Sequence, residues 1–171
     1  MSKEANIATA QKMGEAINKG NLEEFHQIFA PGVVDHDPAP DQGKGPDGFI
    51  GFFTQFRTAF PDLKVAVDHM VADEDNVAIA YTVTGTQNGP FQGVPATGKK
   101  IKARGMQIAK FDANARIVER WGRIGRSRNH AADWRGQAIT QHERAAGTLG
   151  RYRLSCSSAP ENSLRGGFTD V

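Results

Sequence analysis

The sequence predicts an α+β fold in which N-terminal helices pack against a curved antiparallel sheet shaped as a small cone. Three observations lead there. Apolar residues recur at helical spacing as far as Phe60, and from Leu63 the period drops to two. The run 85–122 reads as two hairpin arms joined by a long loop over 88–100 and turned again at Asp112-Ala-Asn-Ala115. Five phenylalanines fall on one helical stripe beside these strands, giving the cone a greasy interior suited to an apolar small molecule.

Each element follows from local signals. Ile7, Ala10, Met13 and Ile17 mark the first helix, which Gly20 ends. Asn21 starts a second, with Glu24 in the capping-box position, Leu22, Phe25, Ile28 and Phe29 as its buried stripe, and Pro31 as its stop. Pro46 suits the first turn of a third helix, along which Phe49, Phe52, Phe53, Phe56 and Phe60 line one side before Pro61. Most of these rings are expected in the core, with Phe53 and Phe56 forming an aromatic wall of a pocket.

Leu63, Val65 and Val67 then alternate with polar neighbours, Asp73-Glu-Asp-Asn76 turns the chain, and Val77, Ile79, Tyr81 and Val83 resume the pattern. Met106 and Ile108 belong to the next strand, and residues 117–124 form the last. After Gly125 the periodicity fades into Arg, Ser and Gly. Residues 1–125 are therefore read as the domain and 126–171 as a divergent, poorly ordered tail with a possible short helix over 137–149.

Composition narrows the function classes. With 171 residues and 39% hydrophobic content, the chain can bury one proper core. A net charge of +2 gives no global pull towards nucleic acid or an anionic membrane, and the arginines of the tail come without an RNA-binding motif. No apolar run approaches the ~20 residues of a membrane span, and no signal peptide is visible. The single cysteine, Cys156, fits a reducing cytoplasm and has no partner placed to make it a nucleophile.

The order of elements resembles one known family over roughly residues 5–125. The segments that carry the resemblance are Val34-Asp-His-Asp-Pro38, Phe60-Pro-Asp62, Gly85-Thr-Gln-Asn-Gly-Pro-Phe-Gln-Gly-Val-Pro-Ala-Thr-Gly-Lys99 and Ile117-Val-Glu-Arg-Trp-Gly122. They are similar to the SnoaL-like polyketide cyclases, also called ester cyclases, of the nuclear-transport-factor-2-like superfamily. The resemblance implies a cystatin-like α+β barrel, a deep apolar pocket, a homodimer and no cofactor. It also implies ring closure by intramolecular aldol condensation, with an aspartate as general acid/base. That aspartate falls at Gly122, which has no side chain to move a proton. The family histidines fall at Arg120, Gln107 and Gln87, leaving His36 as the titratable family-like residue near the pocket mouth.

Individual residues carry competing readings. An imidazole can exchange protons near neutral pH, so His36 is either a general base oriented by Asp35 or Asp37, or a strand-end histidine that satisfies backbone groups. Asp35, His36 and Asp37 cannot converge on one metal ion, because adjacent strand residues point to opposite faces. Gln107, with small Gly105 and Ala109 on its face, is either a donor to a ligand carbonyl or an outer polar residue. Arg120 is either buried with an anionic partner, where it stabilises an enolate, or a surface residue. Trp121 points the other way, towards a dimer interface or the core, and is placed with Gln87 and Phe91 of the loop to complete the ligand-binding set.

The expectation is thus a cytoplasmic protein that binds an apolar oxygenated small molecule, with no nucleic acid or membrane partner. Cofactor-independent acid/base cyclisation or isomerisation is the leading activity, with His36 and Arg120 as the catalytic residues. The rival is a non-catalytic ligand-binding or dimerising module lacking the family aspartate. A weaker third is an epoxide-hydrolase-like enzyme, which needs acids facing an arginine such as Arg104 or Arg120. The tail adds one hypothesis: codons permitted for Asn129-His-Ala-Ala-Asp-Trp-Arg135, read one base later, allow Thr-Met-Gln-Gln-Ile-Gly. That string is close to the closing helix the resemblance implies, so a one-base slip near residues 122–126 is expected to have replaced the C-terminus.

Overall fold

A computed structural model describes residues 2–125; the tail over 126–171, with its expected short helix and the frame-slip reading, lies outside the described residues. The first helix, α1, spans Lys3–Lys19, and the Ser2 hydroxyl caps it by accepting the Ala5 N–H at 3.2 Å. Its buried stripe of Ala10, Met13, Ala16 and Ile17 repeats the spacing read from the sequence. A 3-10 turn at Leu22–Glu24 runs into the single-turn helix α2, Phe25–Ile28. The helix stops before Pro31, because Phe29 already enters strand β1, Phe29–Asp35. Pro31 is tolerated there because β1 is an edge strand, where a missing N–H need break no ladder.

Helix α3, Gly45–Ala59, carries Pro46 in its first turn and buries Phe49 and Phe56. Four strands follow, β2 (Lys64–Ala72), β3 (Asn76–Thr86), β4 (Lys100–Phe111) and β5 (Ile117–Ile124). The sheet order is β1-β5-β4-β3-β2. Three neighbouring pairs are antiparallel, whereas β1 runs parallel to β5. The expected α+β class is the observed one, with a parallel pair at one edge of a mixed sheet. The edge strands β1 and β2 are not paired to each other, so the sheet is open and the cone is completed by helices.

Both short turns form where the sequence puts them, and their carboxylates explain why. Asp73 Oδ1 accepts the N–H groups of Asp75 and Asn76 at 2.8 and 2.7 Å, and Asp112 Oδ1 accepts those of Asn114 and Arg116, both at 2.9 Å. Along β3 and β4 the alternation is regular: Val77, Ile79, Tyr81 and Val83 face inward, opposite Ala109, Gln107, Gly105 and Ala103. That inner face and the stripes of α1 and α3 enclose the core. Among the described residues, no helix is long and apolar enough to cross a membrane.

Candidate active site

A cavity of about 960 Å³, open mouth included, lies between α1, α3 and the inner face of the sheet. Phe49, Phe52, Phe53 and Phe56 of α3 form its aromatic wall, because turns of 3.6 residues bring these positions to one side. At one end the lining becomes polar, with Asp37, Gln42, Gln107 and Arg120. An apolar chamber with a few convergent polar groups is the usual form of a small-molecule site.

The polar end is assembled by strand alternation. In β1 and the residue pair after it, Asp35 and Asp37 point inward while His36 points outward. The His36 N–H donates to the Arg120 carbonyl at 2.9 Å, which keeps this stretch in register with β5. Arg120 Nη1 donates to both oxygens of Asp35 at 3.0 Å, and Arg120 Nε to Gln107 Oε1 at 3.2 Å. Gln42 Nε2 holds Asp35 Oδ2 from the other side at 3.0 Å. The Arg120 and Asp35 side chains are 16% and 5% exposed, so the charge pair is desolvated and needs these extra hydrogen bonds. The guanidinium also lies over the Phe49 ring, 5.9 Å from its centroid.

A guanidinium only donates, so the Gln107 amide must turn its oxygen to Arg120. Its Nε2 then has no hydrogen-bond partner among the described residues, although Gln107 is only 7% exposed and lines the cavity. Asp37 is held differently. Its Oδ2 accepts the Gly122 N–H at 3.2 Å, and its Oδ1 faces Nε of the exposed Arg123 at 3.4 Å. The site therefore holds one buried cation and two carboxylates, one paired with Arg120 and one fronting the cavity.

Of the residues singled out from the sequence, the structure brings Phe53, Phe56, Gln107 and Arg120 to the cavity. It places four others elsewhere. His36 is on the outer face, stacked on Trp121 at 4.5 Å and 3°, with its Nε2 2.9 Å from Glu119 Oε2. That corrects its expected place by the pocket: strand alternation turns it away, so the two acids beside it face in. The same hydrogen bond, followed by that of Lys110, holds the Glu119 carboxyl below its ordinary value. Trp121 shares the outer face with His36 and does not line the cavity. Gln87 is buried beneath the β3–β4 loop, where its amide donates to the Pro95 carbonyl at 3.1 Å and accepts the Thr97 hydroxyl at 2.9 Å. Phe91 stacks on Phe56 at 4.8 Å, behind the aromatic wall. The sequence reading gave Asp35 and Asp37 only as residues orienting His36, did not single out Gln42, and found no acids facing Arg120. The period of two through Asp35-His36-Asp37, already used to argue against a metal, was the signal that would have found both acids.

The chain matches the family model described as SnoaL-like polyketide cyclase over residues 7–128. Among solved structures it is similar to IdmH of Streptomyces antibioticus, a candidate polyketide cyclase, with 28% identity over 70% of this chain and 91% of that one and a TM-score of 0.61. It is similar to AclR of Streptomyces galilaeus, a candidate hydroxylase, with 27% identity over 72% and 91% of the two chains and a TM-score of 0.63. A candidate SnoaL-like polyketide cyclase from Jannaschia sp. CCS1 shares the fold, with 22% identity, coverage of 71% and 86%, and a TM-score of 0.62. A comparison with curated proteins returns no match.

Proposed function

Because the chain belongs to the SnoaL-like polyketide cyclase family, whose model spans residues 7–128, we propose that it is a cofactor-independent acid/base enzyme acting on a neutral, apolar, oxygenated small molecule. The observation that carries this reading is Asp37, a carboxylate fronting the cavity beside the Arg120–Gln107 pair. Asp37 takes the proton-transfer role expected of His36. It removes a proton from the carbon next to a substrate carbonyl, and the electron pair moves onto the carbonyl oxygen as an enolate. Gln107 Nε2–H and the Arg120 guanidinium stabilise that developing charge, the kind of preorganised contact worth most where water is excluded. The enolate carbon attacks a second carbonyl of the same molecule, and the protonated Asp37 returns its proton to the new alkoxide. Atoms balance as an isomerisation, in keeping with an intramolecular aldol closure.

The test is Asp37→Asn assayed against a panel of flat polycyclic ketones, with turnover and binding measured separately. Loss of turnover by about 10²–10⁴-fold with retained binding supports the role. Unchanged turnover removes Asp37 from it.

Asp35, paired with Arg120, and Asp37, fronting the same cavity, also favour a second reading, hydrolysis of an epoxide. Here Asp37 accepts a proton from water as the water oxygen attacks a ring carbon and the ring C–O bond breaks, and the protonated Asp37 then returns that proton to the alkoxide left on the former ring oxygen. Diol formation from an epoxide, lost in Asp37→Asn, distinguishes it from cyclisation.

The family resemblance to a homodimer has a matching surface. On the outer face of the sheet, Val71, Ala78, Ile108 and Trp121 stand in one cross-strand row, and Met106, 69% exposed, lies in the next. A second copy of the chain covering this stripe is the proposed partner, and Met106→Glu with Ile108→Glu is expected to shift the sedimentation profile to monomer. A cytoplasmic location, read from the lone cysteine, is part of the same proposal.

A further inference from the structure

Tyr81 is buried on the inner face of β3 and lines the cavity, yet it has no part in the proposed proton transfer. Its partner across the ladder is Gly105 of β4. A methyl group on Gly105 would stand 2.6 Å from the Tyr81 hydroxyl and 2.5 Å from its Cζ, so the ring lies flat over the glycine and reaches from β3 across β4. The polar tip of Tyr81 is therefore carried over the row that joins Gly105 to Ile124, and Ile124 also lines the cavity.

The next inward row, two residues along β4, joins Gln107 to Gly122. Two residues of strand span roughly 7 Å. The cavity floor thus presents two polar contacts on adjacent rows, the Gln107 amide and the Tyr81 phenol, against an aromatic wall on α3. A phenol hydroxyl both donates and accepts, whereas the Gln107 amide nitrogen only donates. The two positions are consequently not equivalent. The Gln107 row suits a bare carbonyl, and the Tyr81 row suits a group that also carries a hydrogen.

Resting on the reading of this cavity as the substrate site, we infer that Tyr81, seated on Gly105, is a specificity-determining contact selecting ligands with a hydroxyl across an aromatic ring from the carbonyl. The hydroxyl of such a ligand exchanges a hydrogen bond with Tyr81 while the carbonyl meets Gln107 and the ring faces the phenylalanines. Gly105 is the residue that makes this possible, since any side chain there displaces the phenol from the sheet.

Benzophenone and para-hydroxybenzophenone probe the claim, with binding measured by calorimetry or amide chemical shifts in the wild type, Tyr81→Phe, Gly105→Ala and Gln107→Leu. The wild type is expected to prefer the hydroxylated ketone by roughly three- to tenfold, the range of one net hydrogen bond. Tyr81→Phe and Gly105→Ala should each erase that preference, while Gln107→Leu weakens both ketones and leaves the preference standing. A preference that survives in Tyr81→Phe, or that is absent from a wild type binding both ketones, overturns the assignment of Tyr81 and leaves the cavity reading intact. A wild type that binds neither ketone defeats the cavity reading and this inference with it.

Discussion

Gly122 lies directly beneath Arg120: a methyl group on its α-carbon would stand 2.9 Å from Arg120 Nη2, and equally close to Gln107 Cβ. An inward arginine at 120 and a side chain at 122 therefore exclude each other in this geometry. The position where the resemblance expects an acid is empty because the neighbouring guanidinium fills the space. An acid is still supplied, from β1's continuation: the Asp37 carboxylate hydrogen-bonds the Gly122 backbone itself, at 3.2 Å.

Gly122→Ala should accordingly cost about 1–3 kcal/mol of stability, as overpacking does in a filled site. In an Arg120→Ala background the same substitution should cost less, because one of its two nearest obstacles is gone while Gln107 Cβ remains. Urea unfolding of the four proteins in this cycle measures the difference. Additive costs would mean that the two residues do not compete for space.

Asp35→Ala removes the partner of a desolvated arginine, and the expected loss is about 3–5 kcal/mol. Replacing both members, as Asp35→Leu with Arg120→Met, should be milder than the single change, since no charge is then left unpaired. Denaturant midpoints for the two variants decide it. Equal losses would show that Arg120 finds water or another acceptor.

On α3, Phe56 is buried against Phe60 and Phe91 whereas Phe53 is only partly covered. Phe56→Ala is expected to cost about 3–5 kcal/mol. Phe53→Ala should cost clearly less in stability while weakening the binding of an apolar ketone in the cavity. Thermal unfolding paired with ligand titration separates the two effects.

Stability should also fall in acid. The Asp62 carboxyl is held below its ordinary value of 3.8 by the Thr86 backbone N–H and hydroxyl. Asp73 is lowered from the same value by the N–H groups of Asp75 and Asn76, and Glu119 from 4.5 by His36 and then Lys110. A carboxyl depressed on folding stabilises the native state above its unfolded pKa, and that contribution disappears as pH drops through the folded value. Unfolding midpoints are expected to be flat from neutral pH to about 5 and to decline below 4. Asp73→Asn, which cannot ionise, should flatten part of that decline. A decline of the same slope in Asp73→Asn would remove this turn from the explanation.

Much of this architecture is readable along the chain because it depends on neighbours in sequence. The helical spacing from Ile7 to Ile17, the alternation from Val77 to Val83, and the aspartates that accept their own turn's N–H groups are all local. So is the aromatic wall, since Phe49, Phe52, Phe53 and Phe56 share a helix. Family membership, too, rests on the motifs at 34–38, 60–62, 85–99 and 117–122, within the span 7–128 that the family model matches.

The polar end of the cavity is a different matter. Asp35 and Arg120 are 85 positions apart, and nothing in either strand alone says that β1 lies parallel to β5 at the sheet edge. That one pairing turns Asp35 towards the arginine and Asp37 towards the Gly122 backbone, and sends His36 out to stack on Trp121. Gln87 likewise has the composition of a ligand contact and the position of a loop staple, fixed by carbonyls seven and eight residues on. Side-chain period and turn chemistry determined which residues could face inward. Long-range strand pairing and the space left by two glycines decided which of them meet, because those depend on where the chain returns and not on what stands next to it.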